Sequence, residues 1–162
     1  MRLCVALTLS LAITLACSAL RTSQPKPSIE AALAALAAAG FEFDADVRFQ
    51  QNRYTVCDGM ACADLALIGE RRTILLAPEA FESPARLRAT LLEIWERYRQ
   101  ARPGSVSDLA RGALRVIRDG PRVGVDDPYT LRRAHHIYRQ LYEALPPQKR
   151  ADLPEPDQLP FP

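Results

Sequence analysis

The chain is poor in the residues that most enzymes rely on. It has 2 histidines, 4 cysteines and 7 glycines among 162 residues. Two adjacent histidines, His135 and His136, supply no HxH, HxxxH or HxxE metal pair. Four cysteines are too few for a disulfide-dense scaffold. There is no GxSxG elbow, no SxxK pair and no P-loop; Gly120 to Gly124 (GPRVG) has neither the spacing nor the lysine of one. Charge of one sign is lacking too: 21 Lys and Arg face 19 Asp and Glu, for a formal charge of +2. No global field draws the chain to nucleic acid. Of the cations only Lys26 and Lys149 are lysine. An arginine bias beside abundant alanine reads first as GC-rich coding and only second as phosphate recognition. Only one long apolar run exists, which excludes a multi-pass membrane protein.

That run is Leu3 to Ala16, fourteen residues without a charge after Met1-Arg2. A spanning helix needs about 20 apolar residues. A short positive start, a shorter apolar stretch and then small residues make a secretory signal peptide over 1–16. Two cleavage points are open. Cys17-Ser18-Ala19 offers small residues to ordinary signal peptidase. Ile13-Thr14-Leu15-Ala16-Cys17 resembles a bacterial lipobox, with Thr14 where the strongest pattern has leucine. The resemblance implies a bacterial lipoprotein whose Cys17 carries lipid, and Ser18 after it implies outer-membrane sorting. Several acyl chains bind a membrane firmly where one is marginal. The alternative is a soluble secreted protein. Loss of Arg2 brings the charge to +1.

Residues 17–27 read as a polar, proline-bearing tether. Ser28 is an N-cap, and Ile29, Leu33, Leu36 and Ala37 share one helical face up to Gly40. Phe41, Phe43, Ala45, Val47 and Phe49 then alternate with charged or polar residues, which predicts a strand. Tyr54-Thr55-Val56 begins another. Cys57 and Cys62 flank an Asp-Gly turn and, in an exported protein, read as a disulfide. A redox pair would be two residues apart, not four, and a metal site would need further ligands nearby. Ala63–Ile68 and Arg72–Leu76 predict a hairpin about Gly69-Glu70-Arg71. Ser83-Pro84 starts a helix over 84–101 with Leu87, Leu91, Ile94, Trp95 and Tyr98 as its stripe. Ser107-Asp108 caps a shorter helix ended by Gly120-Pro121. Asp127-Pro128 starts the last, with Leu131, Ala134, Tyr138, Leu141, Tyr142 and Leu145 facing inward. From Pro146 six of 17 residues are proline, so 146–162 reads as a disordered tail.

The expectation is one α+β domain over 28–145: a small antiparallel sheet of three to four strands, about four helices and one disulfide. Residues 72–98 resemble the core of minimal zinc peptidases, in which a buried strand ending in ILL-P leads to a helix bearing HExxH. Here Ile74-Leu75-Leu76-Ala77-Pro78 leads to Leu92-Glu93-Ile94-Trp95-Glu96. Glu93 matches the general base, while Leu92 and Glu96 hold the histidine places. The resemblance implies a relic scaffold without zinc hydrolysis. Glu93 and Glu96 read as a solvated face, with Arg97 pairing Glu93 at i+4. His135 lies within the apolar stripe of the last helix. His136 points about 100° further round, among Arg132, Arg139 and Glu143.

The functional expectation is an exported envelope protein with a non-enzymatic binding or structural role and no cofactor. Its partners are the membrane, through Cys17, and an envelope protein. Its place is outer-membrane-anchored or periplasmic. Catalysis stays open as a diverged peptidase-like hydrolase that uses Glu93 with His135 or His136, with Glu96 as a further candidate carboxylate.

Overall fold

A computed structural model describes residues 27–49, 63–68, 71–100 and 105–160. The signal segment, Cys17, the tether before Pro27, the predicted strand at Tyr54 and the Cys57–Cys62 disulfide all lie outside the described residues.

The first helix, α1 (Ile29–Ala38), is capped by the Ser28 hydroxyl, which accepts from the Ala31 N–H at 3.3 Å. Gly40, at φ +89°, ends it. Its N–H donates to the Ala37 carbonyl and that of Phe41 to the Leu36 carbonyl, the paired bonds of a left-handed C-cap. Of the four predicted inward residues Leu36 is fully buried, but Ala37 is exposed and Ala32 takes its place.

The strand expected from Phe41 is shorter than its alternation suggested. β1 spans only Asp46–Phe49. Residues 41–44 run without a ladder because their rings turn onto the second long helix, α2 (Pro84–Gln100). Phe41 and Phe43 stand edge-on to Trp95, at 5.8 and 5.0 Å between centroids. The Ala63–Ile68 strand (β2) and Arg71–Leu76 (β3) form the predicted antiparallel hairpin. The sheet as a whole is mixed, not antiparallel. Its order is β1-β3-β2, and β1 runs parallel to β3 with Asp46 opposite Thr73 and Phe49 opposite Leu76. The two edges are thus filled by strands on either side of β3, and β3 supplies the most buried stretch, Thr73, Ile74 and Leu76.

Pro78–Phe81 makes a 3-10 turn, and α2 follows with the Ser83 hydroxyl accepting from the Arg86 N–H at 3.0 Å. This helix is buried on nearly every side, since the sheet, α1 and the next two helices all contact it. The helix α3 (Val106–Asp119) has its N-cap two residues before the predicted one, Ser107. Ser105 is its N-cap and Asp108 its third residue, and the two exchange side-chain-to-backbone bonds in a capping box. Gly112 lets α3 approach α2 closely: a Cβ there would lie 2.6 Å from the Glu93 carbonyl oxygen. A 3-10 turn, Gly120–Val123, leads to α4 (Pro128–Ala144), capped by Asp127, whose carboxylate accepts from the Tyr129 and Thr130 N–H groups.

The proline-rich end is not a disordered tail. After a short helix, α5 (Pro147–Arg150), residues 151–160 fold back along α4. Leu153 and Leu159 are buried in the core, 8% exposed each. The Tyr138 hydroxyl donates to the Pro154 carbonyl at 2.6 Å, and Arg139 pairs with Asp157. Arg150 ties the segment's start by donating to the carbonyls of Leu145 and Glu143. Proline suits such a strap: its fixed φ lowers the entropy lost on docking, and the prolines' missing N–H groups need no partner.

Candidate functional site

The predicted candidates separate into two places. Glu93 and Glu96 lie between α2 and α3, contrary to the expected solvated face; they are 4% and 8% exposed. Neighbours on nearly all sides of α2 leave it no wet face for them. Glu96 accepts from the Arg115 Nε at 2.7 Å and is also engaged by the Arg115 Nη2. Arg115 reaches Asp119 at 3.2 Å as well and lies over the Phe41 ring, 5.5 Å from its centroid. Glu93 packs against Gly112. Arg97, predicted to pair with Glu93, donates instead to the Ala63 carbonyl at 3.3 Å, which ties α2 to β2.

These positions do not fit a zinc ion. Leu92, at the first histidine place, is fully buried and has no donor atom, and Glu96 at the second is engaged by a guanidinium. Among the described residues no group of three His, Cys, Asp or Glu is placed to hold a metal.

The histidines are on α4, as predicted, one inward and one outward. His135 is 7% exposed, with its Nε2 2.6 Å from the Pro160 carbonyl oxygen, so the ring takes part in fastening the C-terminal strap. His136 is exposed. Two concavities meet along this helix. One, of about 320 Å³, lies between α4 and the strap and is lined by Arg132, His135, His136, Arg139, Asp157 and Leu159, with Pro156. The other, of about 500 Å³, is a shallow depression on the outer side of α4, lined by Tyr129, Arg132, Arg133, His136 and Ile137. Glu93 and Glu96 line neither. Glu93 and Glu96 therefore share neither cleft with the histidines; the carboxylate that lines the smaller one is Asp157, which is paired with Arg139 at 2.6 Å. The arginines around the histidines were legible as neighbours on one helix; the contribution of Asp157 was not, because it required the tail to fold back.

Inside the strap contact, burial pushes the Tyr138 phenol up to about 12, aided by Tyr142 nearby. A third concavity, at the end of the sheet, is lined by Asp44, Asp46, Arg71, Arg72, Phe43 and Tyr98 with Ala45, a balanced set of charges. There Arg48 hydrogen-bonds Asp46 and holds its carboxyl below the ordinary range.

Compared with known proteins, the chain matches no protein-family profile, no curated protein and no solved structure.

Proposed function

We propose that the chain is an exported bacterial envelope lipoprotein, acylated at Cys17, whose α+β domain has a non-enzymatic binding or structural role in the outer membrane. The observation that carries the reading is the charge-free run Leu3 to Ala16, which follows Met1-Arg2 and ends directly at Cys17. A run of this length suits export and cleavage better than a stable span. No helix among the described residues is long and apolar enough to cross a membrane.

The use to which the domain puts its polar groups supports a scaffold. Glu96 serves Arg115, Asp108 caps α3, and His135 and Tyr138 fasten the strap. Each is engaged in holding elements together rather than converging on one cleft, where a general base and its partner must lie within hydrogen-bond reach. Radiolabelled palmitate fed to an expressing bacterium tests the anchor. The label enters the wild-type chain and is abolished by Cys17→Ala. A wild-type chain that takes up no label, or a Cys17→Ala chain that takes up as much, overturns the reading.

A further inference from the structure

We infer that the outward face of α4 docks onto anionic phospholipid headgroups. Tyr129, Arg132, Arg133 and His136 fall at i, i+3, i+4 and i+7, on one side of the helix. Together with Ile137 they form the shallow depression of about 500 Å³, and no acidic side chain lines it. The opposite side of the helix carries Ala134 and Tyr138 into the core, so the cationic side faces outward. Tyr129 is 63% exposed, and Arg132 and His136 are exposed as well. Of the carboxylates nearby, Asp127 is engaged as the N-cap and Asp157 pairs with Arg139, while exposed Asp126 and Glu143 precede Tyr129 and follow Ile137 in the chain and do not line the depression. Because the whole chain is almost neutral, this cationic character is local to the face and not a general property.

The shape favours a lipid surface over a small enclosed ligand. One helix supplies every lining residue, so the depression is open and can meet many headgroups at once. Guanidinium groups donate in a fork that matches phosphate oxygens, and an exposed tyrosine suits the boundary between headgroups and hydrocarbon. The inference rests on the proposed anchor in one respect. Ser28 lies eleven positions after Cys17, a reach of at most about 40 Å. An acylated chain is thus held where individually weak headgroup contacts act at high effective concentration.

The test uses the full chain carrying Cys17→Ser, which cannot be acylated there. Its binding to vesicles of equal parts phosphatidylglycerol and phosphatidylcholine is compared with binding to phosphatidylcholine alone. Both vesicles offer the same hydrocarbon to the apolar run 3–16, so the difference reports the headgroups. Tighter binding to the anionic vesicles is expected, with Arg132→Glu weakening it roughly tenfold. His136→Glu weakens it independently. Arg99→Glu makes the same charge change as Arg132→Glu at the exposed far end of α2 and leaves the preference intact. Equal binding to the two vesicles, or equal losses from Arg132→Glu and Arg99→Glu, overturns the inference. Displacement by inorganic phosphate, beyond what an equal ionic strength of chloride achieves, assigns the face to a small anion and overturns it too. Acylation is read separately, from the mass of the wild-type Cys17 peptide, so loss of the anchor and loss of headgroup preference are distinguishable.

Discussion

Gly112 sets how closely α3 approaches α2. A Cβ there meets the Glu93 carbonyl oxygen at 2.6 Å and the Glu93 Cγ at 2.8 Å, and backbone cannot swing aside as a side-chain tip can. Gly112→Ala is expected to destabilise the fold by about 1–3 kcal/mol despite the better helix propensity of alanine, measured as a lower urea midpoint. One helix turn along α2, Glu96 and Arg115 form a partly buried pair. Removing Glu96 alone leaves a guanidinium without its main acceptor and is expected to cost about 1–3 kcal/mol. Replacing both residues by methionine recovers most of that loss, because two apolar groups of similar volume need no partner. A double-mutant cycle in urea checks the coupling. Tyr138 gives a pH signature. Its folded pKa, about 12, is above the ordinary phenol value of 10, so its contribution is complete below pH 10 and is lost as pH rises towards 12. Wild type should therefore lose stability more steeply across that window than Tyr138→Phe, in melts followed by circular dichroism.

At the level of elements, the strap is the feature that changes the domain's limits. Ending the chain after Asp152 would remove the burial of Leu153 and Leu159, worth about 1.5–3 kcal/mol each, and the bond from Tyr138. A drop of about 3–5 kcal/mol is expected, seen as a large fall in the thermal midpoint. A melt unchanged by the truncation would mean that residues 153–160 add nothing to the fold. The helices were legible because their signals are local: Ser28, Ser83 and Asp127 as caps, Gly40 as a stop, and apolar stripes at helical spacing. The hairpin of β2 and β3 was legible for the same reason. What escaped is long-range. The parallel pairing of β1 with β3 joins residues 27 apart, and alternation alone gives no partner or direction. The tail's six prolines masked two leucines that pack, since composition counts residues without asking where their side chains go. Glu93 and Glu96 fall off the one apolar stripe that periodicity reveals, which points them to solvent, but α2 has contacts from the sheet and three helices and buries them. At the candidate site the inward His135 and outward His136 were readable from helical angle; the closing of the cleft by Pro156, Asp157 and Leu159 was not.

At the scale of the whole molecule, the described residues between 27 and 160 pack around one core, and the charge of the full chain is near balance. Its polar side chains mostly fasten elements to one another, and its outward cationic face lies on one helix. The proposed anchorage through Cys17 would join these observations, because it would hold that face near a bilayer. The most direct measurement is the intact mass of the protein purified from bacterial membranes, with its N-terminal peptide sequenced. If Cys17 is acylated, the chain begins at Cys17 and carries the added mass of its acyl groups. A chain that begins at Leu20, or one that still begins at Met1 with Cys17 unmodified, would contradict that acylation.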